Sequence, residues 1–282
     1  MGSSLYLFRL MGIPVRMHWT FPLSLLMLGG FGPMQWGIFG SLFLTILVHE
    51  MGHCLAARSV GGGATQIVLW PLGGIAYTFG NRGNPLHSIW ISLAGPLTHI
   101  PMAALCAGYL AQHGYVLGWQ ELNPLAAFDF HGSGLWQLYF YLVFKMQVLL
   151  FCFNVLTPAF PMDGGQVLAS LFSTVMPLET AAWVMGGLTG ASAYVMMSQG
   201  FTGIPLFLAY YAVTLVLTPA SDWHPLAHFY QRAGVIHGRA AVYVPEGLQL
   251  VPCPQCEQKL HPGAEICVHC NTRYPFGQPD AK

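Results

Sequence analysis

The sequence predicts an α-helical polytopic membrane protein with about six transmembrane helices. Charged residues make up only 7% of its 282 residues, whereas soluble proteins usually carry about 25%. Apolar residues make up 54% of the chain and gather into stretches long enough to enter a bilayer. The formal net charge is zero. The chain therefore lacks the basic surplus of nucleic-acid-binding proteins, and we expect no nucleic-acid partner.

Six apolar segments account for the predicted helices. They cover about residues 18–32, 36–57, 89–112, 135–156, 180–198 and 201–217. The first and the last are short for a full crossing, so we expect them to be tilted or partly interfacial. Residues 1–17 contain neither a continuous apolar core nor a small-residue cleavage pattern, and we expect no cleaved signal peptide.

The basic residues predict the topology. An even number of crossings with both termini in the cytoplasm places nine of the ten Lys and Arg residues on the cytoplasmic side, as the positive-inside rule requires. The exception is Lys145 in the fourth segment, which could snorkel, pair with a carboxylate or face a wet cavity. We expect a multi-pass protein of a prokaryotic cell (inner) membrane.

The second apolar segment contains the sequence His49-Glu-Met-Gly-His53. Two histidines four residues apart on a helix point the same way and can share one zinc ion, and Glu50 between them can move a proton. A charged residue at mid-helix costs roughly 2.5–3.5 kcal/mol on insertion scales. That cost favours a functional site over the simpler interpretation, in which two interfacial histidines flank a snorkelling glutamate.

A catalytic zinc ion commonly has three protein ligands, and Asp163 is the best candidate for the third. It follows the fourth segment in a stretch, residues 154–165, that contains two prolines and ends in two glycines. Prolines prevent a regular helix there, and glycines let the backbone approach other groups closely. Asp163 could instead cap a helix over residues 166–175. Beside the histidine pair, coordination by His49, His53 and Asp163 is the stronger prediction.

These stretches resemble the site-2 protease family of intramembrane zinc metalloproteases. The resemblance rests on His49-Glu-Met-Gly-His53, Pro-Met-Asp163-Gly-Gly, Trp70-Pro-Leu-Gly-Gly-Ile75 and Ser92-Leu-Ala-Gly-Pro-Leu-Thr98, and it covers about residues 13–217. It implies that His49, His53 and Asp163 bind the catalytic zinc and that Glu50 is the general acid/base. It also implies cleavage of a transmembrane helix of another protein near the cytoplasmic side.

Two positions depart from the family pattern. Asn154, which we predict to stabilise the oxyanion as a second catalytic residue, lies nine residues before Asp163, whereas eight is the commoner family spacing. His99 follows the Ala-Gly-Pro sequence where the family often has Asn. A single histidine on an apolar segment is usually a packing or interfacial residue, and we predict no catalytic role for His99.

Residues 65–79 predict a small membrane-associated β-hairpin. Two runs of β-prone residues flank Pro-Leu-Gly-Gly, which is typical of two strands and a turn. An exposed edge beside the active site could bind an unwound substrate by strand addition. A re-entrant loop that only plugs the cavity explains the pattern equally well.

The C-terminal region predicts a separate zinc module. Cys253-Pro-Gln-Cys256 and Cys267-Val-His-Cys270 have the spacing of a zinc ribbon in which four cysteines hold one metal ion. Two disulfides would satisfy the same cysteines, but a reducing cytoplasm disfavours them. We therefore expect one structural zinc ion here besides the catalytic one. By analogy with the regulatory domains of site-2 proteases, the ribbon could bind a cytoplasmic protein.

These predictions divide the chain into four parts. They are a metalloprotease domain over residues 1–220, a linker over 221–250, the ribbon over 251–275 and a tail over 276–282. The leading hypothesis is an intramembrane zinc metalloendopeptidase that cuts in or near a transmembrane helix of a membrane-protein substrate, as in regulated intramembrane proteolysis. One alternative is a non-proteolytic zinc-binding membrane scaffold or regulator, against which Glu50 argues. Another is a metal transporter, for which we find no paired internal repeat.

Overall fold

The computed structural model describes most of the chain up to residue 217 and two short strands beyond it. The described residues are 4–27, 30–71, 73–79, 85–124, 126, 128–172, 175–176, 178–198, 203–217, 251–252 and 259–260. Within them, the chain forms a four-stranded sheet near its N-terminus, a set of apolar helices and a separate pair of two-residue strands. The predicted mostly helical architecture is therefore confirmed for the part of the chain before residue 218.

The sheet consists of four consecutive neighbours. Strand β1 covers Ser4–Leu10, β2 covers Ile13–His18, β3 covers Gly63–Trp70 and β4 covers Gly73–Phe79, in the spatial order β1-β2-β3-β4. Strands β3 and β4 pair antiparallel across the Pro71 turn region, so the predicted hairpin is confirmed. Strand β2 pairs parallel with β3, and β4 is left at the edge of the sheet.

The first predicted transmembrane segment, residues 18–32, is not a continuous helix. Strand β2 ends at His18, a 3-10 turn covers Phe21–Leu23, and the helix α1 covers only Ser24–Met27. The apolar residues before this segment alternate instead of following a helical period, and both Ile13 and Val15 are fully buried in the core beneath the sheet. A period of two specifies a strand with one buried face, which hydropathy alone does not detect.

Seven further helices follow within the described residues. They are α2 (Pro33–Ser59), α3 (Pro85–Leu97), α4 (His99–Gln112), α5 (Leu135–Leu156), α6 (Asp163–Phe172), α7 (Leu178–Ser198) and α8 (Gly203–Leu217). Helices α3 and α4 form one apolar stretch that is interrupted at Thr98, two residues after Pro96. A proline inside a helix lacks the N–H donor for the regular bond, and helices often bend beside it.

Three of these stretches are long and apolar enough to cross a membrane: Pro33–Ser59, Leu86–Gln112 and Leu135–Leu156. They correspond to the second, third and fourth predicted segments. The fifth and sixth predicted segments form helices α7 and α8, which pack against each other. In the described part of the chain, α7 and α8 do not meet the same length and hydropathy criteria, so six crossings remain a prediction.

The C-terminal module is described only at two strands. Strand β5 (Val251–Pro252) pairs antiparallel with β6 (Lys259–Leu260). The four predicted zinc-binding cysteines Cys253, Cys256, Cys267 and Cys270 lie outside the described residues, as does the predicted linker. The zinc ribbon therefore remains a prediction.

Candidate metal centre

Helix α2 brings the two histidines of the sequence pattern together. The Nε2 atoms of His49 and His53 lie 3.1 Å apart, as expected for side chains one helical turn apart on one face. His49, Glu50 and His53 are each less than 10% exposed, at 7%, 5% and 9%. The pair therefore lies inside the protein although it belongs to a helix long enough to span a bilayer.

Asp163 reaches the same point from helix α6. Its Oδ2 lies 3.2 Å from His49 Nε2, and its Oδ1 lies 3.4 Å from His53 Nε2. Asp163 is the first residue of α6 and is 6% exposed. The three residues predicted from the sequence are thus brought together, and their ligand atoms all lie within 4.8 Å of one another.

Two glycines allow this approach of α6. A Cβ atom on Gly164 would lie 2.3 Å from the carbonyl oxygen of Val155, and one on Gly165 would lie 2.2 Å from that of Ala159. Real Cβ atoms do not come so close to a backbone oxygen, so any side chain here would push α6 away from the end of α5. The close approach predicted from the Gly-Gly sequence is present, and it sets the position of Asp163.

The donor atoms fit a metal ion. Separations of 3.1, 3.2 and 3.4 Å between them match the edge of a tetrahedron with zinc–ligand bonds of about 2.0 Å, which is roughly 3.3 Å. A Cβ atom on Gly95 of α3 would lie 2.2 Å from His53 Nε2 and 2.8 Å from His49 Nε2. The centre thus has room beside its nitrogen atoms only because residue 95 has no side chain.

The tautomer of His53 is set by the backbone. Its Nδ1 lies 2.6 Å from the carbonyl oxygen of Ile91 on α3. A carbonyl oxygen only accepts, so Nδ1–H of His53 donates, and in the neutral ring that binds a metal the lone pair of Nε2 points into the centre. Such a bond from the outer nitrogen of a ligand histidine is typical of metal sites, where it orients the ring.

His49 has a side-chain partner instead. Its Nδ1 lies 3.0 Å from Nε2 of His99, whose Nδ1 lies 2.7 Å from Oε1 of Gln147. The Gln147 amide nitrogen in turn donates to Oγ1 of Thr45 over 2.7 Å. His99 is only 1% exposed. Sequence reasoning treated it as a packing residue and missed this contact, because its partners come from helices α2 and α5.

Glu50 lies against the edge strand of the sheet. A Cβ atom on Gly74 of β4 would come within 2.5 Å of Glu50 Cγ, and the backbone of Ala76 hydrogen-bonds to the Glu50 carboxylate. The hairpin is therefore beside the candidate centre, as predicted. The glycine at position 74 is required for the close contact between strand and carboxylate.

Asn154, the second predicted catalytic residue, lies in the last turn of α5. Its amide nitrogen donates to the carbonyl oxygen of Leu150 over 2.9 Å, within its own helix. This bond uses one of the two N–H groups of the amide. The catalytic role of Asn154 therefore remains a prediction.

Lys145 belongs to a second buried polar cluster, which we call the Lys145 cluster and which comprises Lys145, Glu121 and Tyr141. Lys145 Nζ lies 3.6 Å from Oε2 of Glu121 and donates to the backbone carbonyls of Glu121 and Asn123 over 3.2 and 3.1 Å. The Tyr141 hydroxyl donates to Oε2 of Glu121 over 2.7 Å. Of the three alternatives for Lys145, pairing with a carboxylate is therefore the one observed.

Comparison with known proteins agrees with this geometry. Residues 37–133 match peptidase family M50, and this range includes His49, Glu50 and His53. The chain is 28% identical over 213 residues to the zinc metalloprotease MJ0392 of Methanocaldococcus jannaschii, a match that covers 74% of this chain and 57% of the relative. It is also 28% identical over 141 residues to stage IV sporulation protein FB of Bacillus subtilis, covering 50% and 42%.

A solved structure has a similar fold. The site-2 protease from Methanocaldococcus jannaschii superposes with a TM-score of 0.50 at 23% identity, covering 84% of this chain and 98% of that chain. The chain spans about half the length of the curated relatives that it matches. The family match and these relatives therefore place the similarity to zinc metalloproteases on the part of the chain that carries His49 and His53, and the solved structure shows a similar fold.

Proposed function

We propose that this chain, as a member of the M50 group of peptidases, is an intramembrane zinc metalloendopeptidase. It hydrolyses a peptide bond in or near a transmembrane helix of a membrane-protein substrate, as in regulated intramembrane proteolysis. One observation carries the proposal: Asp163 of α6 converges with His49 and His53, and both histidines and Glu50 lie on a helix apolar enough to span a bilayer. Ionisable groups are rare inside spans and are usually functional there.

In this proposal, His49, His53 and Asp163 hold the catalytic zinc through two imidazole nitrogens and one carboxylate. This donor set leaves a position open, as in catalytic rather than structural zinc sites. When bound, zinc acidifies a water molecule and polarises the scissile carbonyl. The burial of the three residues keeps the polar groups of the centre in a low dielectric, where their interactions with a developing charge are strong.

Glu50 moves the proton. Its carboxylate accepts a proton from the attacking water and returns it to the nitrogen of the leaving amine, so one group acts as base and then as acid. Its hydrogen bond with the backbone of Ala76 orients the carboxylate. Asn154 supplies a second stabilising group for the oxyanion through the amide N–H that is not bound to the Leu150 carbonyl.

The edge strand β4 binds the substrate in this proposal. A helix hides its peptide groups in internal hydrogen bonds, so a substrate helix must unwind before its peptide bond can react. An extended segment added to β4 would lie next to Glu50, which contacts β4 at Gly74. Ile75 and Tyr77 on β4 are 44% and 40% exposed. That exposure supports substrate binding by strand addition over a hairpin that only plugs the cavity.

The C-terminal cysteines hold the structural zinc ion in a ribbon that binds a cytoplasmic protein. The pairing of Val251 with Leu260 and of Pro252 with Lys259 supports this, because it encloses the first Cys-x-x-Cys pair between two short strands. A ribbon of this size has too small a core to fold without its metal. The positive-inside rule supports a cytoplasmic location of both termini, in a prokaryotic cell (inner) membrane.

The variant Glu50→Gln tests the function. We expect it to lose cleavage of membrane-protein substrates while retaining its zinc content and thermal stability, because the amide is isosteric but does not take a proton. The matched control is Glu121→Gln, the same change at a buried glutamate of the Lys145 cluster. The control should lower the thermal stability, because it leaves Lys145 without its carboxylate, whereas its folded fraction should keep cleavage and zinc. Cleavage by Glu50→Gln at the wild-type rate would support the scaffold alternative instead.

A further inference from the structure

We infer that Gln147, acting through His99, holds His49 in the tautomer whose Nε2 lone pair faces the metal centre. Gln147 and His99 are positioning residues in this scheme, since neither touches the substrate or the metal. The inference rests on the proposed function, because it assumes that His49 is a ligand of the catalytic zinc.

The direction of the hydrogen bonds follows from the Gln147 amide. Its Oε1 faces Nδ1 of His99 at 2.7 Å, and its Nε2 faces Oγ1 of Thr45 at 2.7 Å. An amide oxygen only accepts, so Nδ1 of His99 carries the hydrogen. Nε2 of the neutral His99 ring is then an acceptor and receives Nδ1–H of His49 over 3.0 Å. His49 Nε2 is left without a hydrogen and can bind a metal.

If the hydrogen bonds from Gln147 to His49 ran in the opposite direction, His49 could not bind the metal. With the amide nitrogen of Gln147 towards His99, each bond in the series would reverse, and His49 would carry its hydrogen on Nε2. A protonated nitrogen has no lone pair for a metal. The Thr45 hydroxyl can donate or accept and so tolerates both directions. The orientation of one amide group thus selects between a ligand and a non-ligand form of His49.

The second histidine provides an internal comparison. His53 donates to the backbone carbonyl of Ile91, and no side-chain substitution reverses that bond. Changes at His99 or Gln147 should therefore act on His49 alone. Thr45, His99 and Gln147 are at most 1% exposed, so bulk water does not substitute for a missing partner. The series also connects α2, α4 and α5 over sequence separations of 48 to 102 residues.

Four variants separate the direction of the bonds from simple packing. Gln147→Glu keeps a hydrogen-bond acceptor facing His99. Gln147→Met keeps the length of the side chain but removes the acceptor. His99→Gln extends far enough to keep an acceptor at the His49 contact, whereas His99→Asn is too short to reach it. We measure zinc affinity by competition with a chromophoric chelator, using the full-length protein in lipid nanodiscs. The zinc of the predicted ribbon serves as the internal reference for intact protein.

We expect Gln147→Met and His99→Asn to weaken binding at the catalytic centre by 10- to 100-fold, the usual effect of losing an outer partner of a ligand. Gln147→Glu and His99→Gln should stay within about threefold of the wild type, because they keep the acceptor. Equal loss in all four variants, or no loss in any, would overturn the inference. A wild-type protein with zinc only at the ribbon would instead contradict the proposed function.

The tautomer is also measurable directly in the wild type, which covers the case in which variants do not fold. Nitrogen-15 NMR of histidine-labelled, zinc-loaded protein distinguishes a ring that carries its hydrogen on Nδ1 from one that carries it on Nε2. We expect His49, His53 and His99 all to carry their hydrogen on Nδ1. A His49 ring with its hydrogen on Nε2 would overturn the inference whatever the variants do.

Discussion

Two buried polar clusters lie close together in the helical part of this protein, and they differ in how their charges are balanced. Gln147, the end of the series that leads to the metal centre, is two residues from Lys145 on the same helix, α5. In the Lys145 cluster, the ammonium group of Lys145 and the hydroxyl of Tyr141 both contact the carboxylate of Glu121. In the metal centre, two imidazole nitrogens and a carboxylate point at one another across 3.1 to 3.4 Å.

This difference distinguishes a scaffold from a binding site. The Lys145 ammonium group has one carboxylate and two carbonyl oxygens around it, so the cluster is complete without a ligand. The metal centre instead collects lone pairs that only a cation or protons can satisfy. Burial of polar groups by itself therefore does not identify a site. A site is identified when several atoms that offer lone pairs to a metal converge on one point.

The largest expected effect is at Asp163. The variant Asp163→Asn keeps the size of the side chain but removes the only carboxylate among the three donors, so zinc binding at the centre and cleavage should both fall to background. Metal analysis of the purified protein should show loss of the catalytic zinc and retention of the ribbon zinc. Retention of both ions would contradict the assignment of Asp163 as a ligand.

The next effect concerns the space beside the histidines. Gly95→Ala places a methyl group 2.2 Å from His53 Nε2, and we expect zinc affinity to fall at least tenfold although alanine favours the helix. The matched control is Gly108→Ala in the same apolar stretch, where a Cβ atom meets nothing within 4 Å. The control should bind zinc as the wild type does. Equal zinc affinities of the two variants would contradict the view that the metal occupies the space beside Gly95.

The Lys145 cluster should respond in the opposite way. Lys145→Met leaves the carboxylate of Glu121 buried without its cationic partner, and breaking a buried ion pair in this way typically destabilises a protein by about 3–5 kcal/mol. We expect a large drop in the unfolding midpoint in detergent micelles, with the zinc content of the folded fraction unchanged. Loss of zinc from protein that stays folded would show that the two clusters are coupled and that the Lys145 cluster is not purely structural.

The smallest expected effect is at the edge strand. Tyr77→Ala removes a 40% exposed side chain from β4, and Tyr6→Ala removes a 51% exposed one from β1 at the other edge of the sheet. If substrate adds to β4, Tyr77→Ala should raise KM about three- to tenfold with little change in kcat, and Tyr6→Ala should change neither. Equal effects of the two variants on KM would argue against strand addition.

The local features of this protein were predictable because they depend on neighbouring residues. The apolar segment 135–156 coincides with α5, since hydropathy and length identify a buried or spanning helix directly. The pairing of His49 with His53 follows from the helical period. The hairpin β3–β4 follows from two β-prone runs around a turn. Residues 18–32 do not form one continuous helix, because β2 extends to His18 and a 3-10 turn precedes the short helix α1, and hydropathy does not distinguish this arrangement from an apolar helix.

The sequence by itself therefore determined the chemical types at the centre and the helix that carries two of them. Only the tertiary structure decided which polar groups meet. Glu121 with Lys145, and His99 with His49 and Gln147, lie 24 to 50 residues apart in the chain. Their contacts depend on how helices and loops dock. Helical period and hydropathy act between neighbours along the chain, whereas a buried hydrogen bond needs a partner of matching polarity at one point in space.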